Sequence, residues 1–293
     1  MSPIRNGQDR QITVGLDIGA NSIICAIGQI IPDTKRLKLL GISTVQSSGI
    51  RRGTITHRNE LIEKLEMAMS EAETMANIKI TKAILSITGD HIRCLNTQAA
   101  IALNRASGGP SGITERAIQD EDIYQVLDLA QAVSLPVDRD ILHTLPQEYL
   151  VDTLEEIKNP IGMTGRRLEG RVHLVTAATT AMNNLVSCVE ELGITVDGLV
   201  FQPLASALAT LHEDEMELGV TLVEIGSSTT NIAVYHGSAI RHSAIIPIGA
   251  SSITHDIAVM LQISIEDAEN IKIKYASARA SLSSPKLEIE IQI

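Results

Sequence analysis

The chain has 293 residues, of which 44% are hydrophobic and 20% charged, enough for one large domain or two ordinary ones built around a sizeable core. A net charge of -11 lacks the basic face that a phosphate backbone requires, and one Phe, four Tyr and no Trp leave no platform for stacked bases, which argues against nucleic-acid partners. The composition is that of a folded globular protein whose core must come from Ile, Leu, Val, Ala and Met.

The start, MSPIRNGQDRQ, is polar, has no apolar centre of the secretory kind and reads as a tail. Residues 12–30 then read as strand, turn and strand: ITVGLDIG, a turn at Ala20, Asn21 and Ser22, and IICAIGQII. A third strand, RLKLLGISTVQS, follows a turn at Pro32 and Asp33. Residues 58–76 carry apolar side chains at Leu61, Ile62, Leu65, Met69 and Met75 with glutamates between them, the pattern of an amphipathic helix on a sheet. AILSITGDHIRCLN returns to strand character, and residues 104–117 form a Gly, Pro and Ser-rich break.

QDEDIYQVLDLAQAV reads as a helix with acids in its first turn, where the helix dipole favours them. VDRDILHTLPQEYLVD reads as strand, Pro-turn and strand, Arg171 to Ala177 as extended, and TTAMNNLVSCVEELG as a helix ending at Gly193. The segment 83–165 thus looks inserted between two pieces of one α/β domain. A short strand at 194–200 leads into FQPLASALATL, helical from Leu204, and TLVEIGSSTTNIAVYHGSAIRHSAIIPIG supplies three strands. SSITHDIAVML and SIEDAENIKIKYASA are two helices, each opened by a serine suited to capping, and LEIEIQI alternates like a half-buried strand. Cys25, Cys94 and Cys188, odd in number and far apart, read as reduced thiols of a cytosolic protein. No uncharged apolar run approaches the roughly 20 residues that span a bilayer.

Two units, VGLDIGANSIICAIG and TLVEIGSSTTNIAVYHG, share one pattern: an acid, Ile-Gly, small or polar residues and an apolar strand. Each alone reads equally well as a plain hairpin. Together they point to an internal duplication whose paired turns clamp a polyphosphate with backbone N–H groups, the acid before each turn holding Mg²⁺.

With those motifs the sequence resembles the actin-like ATPase superfamily and, within it, the FtsA family of bacterial cell division proteins. The resemblance runs from about residue 11 to 290 through DIGANS, FQPLASALATL, EIGSSTTN and DAENIKIKYASA. FtsA-like segments lie between them: LSITGDHI, LHTLPQEYLVD and IKNPIGMTGRRLEGRVHLVTA. It implies a ribonuclease H-like duplicated α/β fold with an FtsA-type inserted subdomain and an incomplete second half. The expected parts are a first actin-like subdomain at 1–82 and 166–195, the insert at 83–165, a partial second core at 196–262, and the start of an outer subdomain at 263–293.

Carried over by position, Asp17 matches the first magnesium-side acid and Gly19, Ala20, Asn21 and Ser22 the first phosphate turn. Gln202 falls where a Gln or Glu helps position the attacking water, a role an amide suits because it both donates and accepts. Glu224 takes the place of the second acid, and Gly226, Ser227, Ser228 and Thr229 that of the second phosphate turn. Glu269 and Lys272 match residues near the ribose or base; taken alone they read as an i, i+3 ion pair on a solvated face.

The departures bear on chemistry. Glu224 is one methylene longer than Asp, a displacement of about an ångström that can cost roughly a hundredfold in rate. Ser227 and Ser228 put Cβ atoms where the family has glycines, and Asn231 replaces an acid. The implied activity is that of at most a slow ATPase. The implied role is a cytoplasmic scaffold at the division site, on the inner face of the membrane, that binds ATP, self-associates into filaments, links the FtsZ C-terminal tail to the membrane and meets other division proteins through its insert. The family continues further, with a glycine-rich adenosine loop and a C-terminal amphipathic helix, so this sequence is expected to be shortened, with its FtsZ site incomplete and its membrane contact in doubt.

Three other readings compete: a small-molecule kinase of the same superfamily, a pilus-assembly protein of the PilM type, and a degenerate FtsA that no longer binds nucleotide. His91, His143 and His173 read as ordinary hydrogen-bonded histidines and HEDEMELG as a solvated loop. Ser86 with His91 lacks a nucleophile elbow.

Overall fold

The computed structural model describes residues 11–32, 36–103 and 116–282. The polar start, most of the 104–117 break and the LEIEIQI tail lie outside the described residues. β1 (Gln11–Ile18) and β2 (Ser22–Ile31) make an antiparallel hairpin, extended by β3 (Arg36–Gln46). A short ribbon, β4 (Ile50–Arg51) with β5 (Thr54–Ile55), leads into α1 (Arg58–Ala76). β6 (Lys82–Ile87) runs parallel to β1; β7 (Arg93–Ala102) and α2 (Asp120–Gln131) follow. β8 (Arg139–Val151), β9 (Leu154–Ile157) and β10 (Arg167–Ala178) lead to α3 (Thr179–Glu190). β11 (Thr195–Phe201), parallel to β6, completes a five-stranded sheet of order β11-β6-β1-β2-β3. After α4 (Gln202–Thr210) and α5 (Glu213–Leu218), β12 (Val220–Ile225), β13 (Thr230–His236) and β14 (Ala239–Ile246) form an antiparallel sheet. α6 (Ala250–Leu261) and α7 (Ile265–Tyr275) pack on each other after it.

The main core lies between the five-stranded sheet and its helices. α1 buries Leu61, Leu65, Ala68, Met69 and Ala72, one stripe at helical spacing, against β2 and β3. Met75, expected on that stripe, is exposed because it lies at the end of α1. Leu16, Ile23, Ile27 and Leu85 are almost fully buried, each contributing about 1.5–3 kcal/mol over exposure.

The second sheet has the order β7-β10-β8-β9. The reading of AILSITGDHIRCLN as one strand stretch separates here into β6 and β7, which belong to different sheets. β10, placed by sequence with the first subdomain, pairs with β7 and β8 instead. Local periodicity marks a strand but carries no information on its partner, so the sheet boundaries differ from the expected 83–165.

Pro146 does not end a strand. β8 is continuous, and its pairing with β10 shifts from Arg171↔Glu148 to Val172↔Pro146, leaving Gln147 as a bulge that accommodates the missing N–H. HEDEMELG is not a loop: three of its acids, Glu213, Asp214 and Glu215, sit in the first turn of α5, capped through His212 and Glu215.

Candidate functional site

Two turns, 207 residues apart, close on the same hydrogen bond. The Gly19 N–H donates to the Ser22 carbonyl at 3.0 Å, and the Gly226 N–H to the Thr229 carbonyl at 2.9 Å. A Cβ on Gly19 would stand 2.9 Å from the Ser22 oxygen, and one on Gly226 3.0 Å from the Thr229 oxygen. The duplication read from two strings is therefore also a duplication of backbone geometry. Neither Ser227 nor Ser228 has a positive φ, so the serines impose no backbone strain there.

Both turns open onto one cavity of about 1160 Å³. Asp17, Gly19, Ala20, Asn21 and Ser22 line one part of it, and Glu224, Gly226, Ser227, Ser228 and Thr229 another. Gln202, Glu269 and Lys272 line it as well, so every residue matched by position to a nucleotide or magnesium role borders this one space.

The charges differ across the cavity. Burial pushes the Asp17 carboxyl above the usual carboxylate range, partly offset by the Ser86 hydroxyl that donates to it. Glu224 faces Asn231 directly across the β12–β13 pair and accepts from its Nδ2 at 3.3 Å. On α7, Lys272 Nζ donates to Glu269 Oε2 at 2.6 Å, to Thr254 Oγ1 at 2.8 Å and to the Ala250 carbonyl at 3.3 Å. Lys272, then Thr254, hold the Glu269 carboxyl below its ordinary range. The pair is the i, i+3 ion pair the spacing allows, and it also ties α7 to α6 at the cavity wall.

Sequence reasoning missed the residues that fix the turns. The first helical N–H groups of α6 point at the second turn: Ala250 N–H donates to the Gly226 carbonyl at 2.9 Å and Ser251 N–H to the Ser227 carbonyl at 2.8 Å. Gly249 permits this approach, since a Cβ there would stand 2.4 Å from the Ser227 oxygen. Ser251 is consequently not a cap, because its hydroxyl also donates to the Ser227 carbonyl at 2.7 Å, whereas Ser264 does cap α7 by accepting from Asp267 N–H. From the other side, Arg52 N–H donates to Ser228 Oγ at 3.0 Å, and Thr88 Oγ1 donates to Asn231 Oδ1 at 2.8 Å. The Gly249 signal, a glycine directly before a helix, was present in the string; the Arg52 and Thr88 contacts had none.

Gln202 is the first residue of α4, two positions earlier than the expected helix start at Leu204, with Pro203 behind it. It follows Phe201, which is fully buried and whose N–H donates to His143 Nε2 at 2.9 Å. Burial keeps His143 neutral by lowering its pKa, as this acceptor role requires. His173 is likewise satisfied, between Asn96 and Ser243. His91 is not: neither of its buried ring nitrogens has a hydrogen-bond partner, and an edge of the ring lies against Gly89. Among the described residues no cluster of three or more His, Cys, Asp or Glu is arranged to hold a metal by itself, and no helix is long and apolar enough to cross a membrane.

The arrangement matches known folds. A structure of the PilM-PilN type IV pilus biogenesis complex superimposes with a TM-score of 0.66 at 15% identity, over 90% of this chain and 69% of that one. The ethanolamine utilization protein EutJ from Carboxydothermus hydrogenoformans gives 0.50 at 14% identity, over 94% and 63%. Such identities speak for fold alone, the actin-like α/β fold expected from the motifs. The family model for the SHS2 domain inserted in FtsA matches residues 89–176, and that for cell division protein FtsA matches 221–293. Cell division protein FtsA of Pseudomonas aeruginosa is 40% identical over 97% of this chain, and that of Escherichia coli K12 is 35% identical over 97%. The chain spans 66% and 65% of the length of these two relatives. On two family models and this identity along nearly all of its length, the chain belongs to the FtsA family of cell division proteins.

Proposed function

We propose that this chain is the nucleotide-binding part of an FtsA-type division scaffold, taking ATP with Mg²⁺ between the turns at 19–22 and 226–229. The observation that carries this reading is the convergence of two turns with the same Gly N–H to carbonyl bond on one cavity. In it, Ala20, Asn21 and Ser22 and, opposite, Ser227, Ser228 and Thr229 offer backbone N–H groups to phosphate oxygens, while Gly19 and Gly226, whose own N–H groups close the turns, let the backbone come close. Asp17 and Glu224 hold Mg²⁺ directly or through water, Gln202 positions the attacking water, and Glu269 with Lys272 borders the ribose or base.

The residues fit such a ligand. No Lys or Arg pairs with Asp17 or Glu224 among the described ion pairs, which leaves two carboxylates for a cation. The cavity exceeds the roughly 300–1,000 Å³ of ordinary ligand sites, room for a triphosphate with its waters. When bound, Mg²⁺ neutralises phosphate charge. With Glu224 and Asn231 in place of shorter or acidic groups, the chain is at most a slow ATPase, and its nucleotide acts as an assembly switch.

Kinship supports the rest: self-association into filaments, attachment of the FtsZ C-terminal tail, contact with other division proteins through the β7-β10-β8-β9 unit, and a place at the division site on the cytoplasmic face of the inner membrane. Since the chain spans about two thirds of its relatives, these are proposals for the whole protein. Calorimetric titration with ATP and Mg²⁺ tests the site. A single saturable site, weakened in Asp17→Ala and Glu224→Ala, is expected. No heat at millimolar ATP would leave a nucleotide-independent interaction module.

A further inference from the structure

Asn231 is 3% exposed and sits where three side chains of the cleft meet. Its Oδ1 accepts from Thr88 Oγ1 at 2.8 Å, and its Nδ2 donates to Glu224 Oε2 and to Gln202 Oε1, each at 3.3 Å. The orientation of this amide is dictated by chemistry. The Glu224 carboxylate only accepts, so it must face the Nδ2 of Asn231. The second hydrogen of that Nδ2 then fixes the Gln202 amide in turn, with Oε1 toward Asn231 and Nε2 left for the cavity that Gln202 lines. The first turn has no such device: the residue 207 positions earlier is Ile24, opposite Asp17.

We infer that Asn231 is a positioning residue that holds Gln202 with its NH₂ group facing the cleft, so that the site retains ATP rather than hydrolysing it. The inference rests on the ATP site proposed above. In hydrolysis the water oxygen bonds to Pγ, the Pγ–O bond to ADP breaks with its electron pair leaving on the ADP oxygen, and the water proton passes through phosphate to solvent. A Gln that orients this water does so best by accepting one of its hydrogens on Oε1, which directs the oxygen lone pair at phosphorus. Here Oε1 is turned toward Asn231, so the group the amide presents to the cleft is its NH₂, a donor that engages that lone pair.

An aspartate at 231 reverses the polarity. It keeps the acceptor for Thr88 but has no hydrogen for Glu224, which it then faces as a second carboxylate, or for Gln202, whose amide turns to donate Nε2 to position 231 and present Oε1 to the cleft. Three measurements on the full chain test this for Asn231→Asp. In steady-state hydrolysis, kcat is expected to rise about tenfold or more, as for a corrected near-attack geometry, while the ATP dissociation constant stays within about threefold. In a Gln202→Ala background the same substitution gives no gain.

The third readout needs no nucleotide: the ¹⁵N–¹H side-chain amide resonances of Gln202. They should exchange freely in the native chain and become protected in Asn231→Asp, with thermal melting of both proteins confirming the fold. An unchanged Gln202 amide, or an equal gain in kcat without Gln202, overturns the inference. A native chain that binds no ATP would overturn the proposed site, while the amide resonances would still decide the orientation.

Discussion

Arg52 and Ser228, 176 residues apart, join the two sides of the cleft: the backbone N–H of Arg52 donates to Ser228 Oγ at 3.0 Å. The turn that presents it is pressed against the next loop, with Gly53 at φ +76° and so close to Thr88 that a Cβ would stand 2.0 Å from its carbonyl oxygen. Ser228, standing where the resemblance leads one to expect a glycine, thus supplies an acceptor that glycine lacks. Ser228→Gly is expected to cost about 0.5–1.5 kcal/mol for the bond. Hydrogen–deuterium exchange checks it: the Arg52 amide should lose protection while amides of β1 and β6 keep theirs. Unchanged protection at Arg52 would mean that the bond does not hold the cleft.

Gly249 and Gly15 form a matched pair. A Cβ at Gly249 meets the Ser227 and Gly226 carbonyl oxygens at 2.4 and 2.5 Å, both backbone, whereas one at Gly15 meets nothing within 4 Å. Gly249→Ala must therefore displace the second turn or α6, at a cost of about 1–3 kcal/mol. Gly15→Ala should be neutral or slightly stabilising. Chemical denaturation gives the stabilities, and ATP affinity should fall only for Gly249→Ala. Equal behaviour of the two variants would remove Gly249 from the site.

The contrast between these glycines marks what the sequence could disclose. The strings DIGANS and EIGSSTTN announce a turn because each carries its own small residues between two apolar strands, and Gln202 stands just after a strand and before a helix-starting proline. Those are local facts. Gly53, Thr88 and Gly249 matter through residues 22 to 143 positions away, and only Gly249, directly before a helix, shows a trace of this in its own neighbourhood. The same limit explains β10, an unmistakable strand whose sheet could not be read from its pattern, and Pro146, whose missing N–H is absorbed by a partner strand as a bulge. His91 adds a third kind: a histidine string looks alike whether or not its nitrogens find partners.

His173 is 1% exposed, with Nδ1 against Asn96 Oδ1 at 2.6 Å and Nε2 against Ser243 Oγ at 2.8 Å. Burial, and then the neighbouring His242, push its pKa from 6.5 down to about 4. Because the folded value is the lower one, the unfolded chain binds the extra proton. Stability is therefore full above the unfolded value and is lost as pH falls from about 6.5 toward 4, where the difference reaches about 3 kcal/mol. Urea denaturation between pH 7 and 4 should show this decline, and His173→Gln should flatten it. An equally steep decline in the variant would assign the pH dependence to other groups.

Glu148, 9% exposed, joins the four-stranded unit to the three-stranded sheet beside the cleft. It accepts from Arg171 on its own sheet at 2.7 Å and from Arg241 on β14 at 3.1 Å. Burial alone would raise its pKa, but these two guanidinium groups overcome that and hold it below the usual range. The bulged Gln147 beside it donates from Nε2 to the Ile240 carbonyl at 2.7 Å, so the Pro146 irregularity delivers both neighbours to one joint. Both arginines stay partly exposed and rehydrate when the carboxylate is lost, which limits the cost of Glu148→Ala to about 1–3 kcal/mol. A double-mutant cycle with Arg241→Ala should return a coupling of about 1 kcal/mol, because the pair is charged, hydrogen-bonded and largely shielded. Hydrogen exchange along β14 should quicken in Glu148→Ala while α1 is unaffected. A coupling near zero would assign the joint to Gln147 and the His173–Ser243 contact instead.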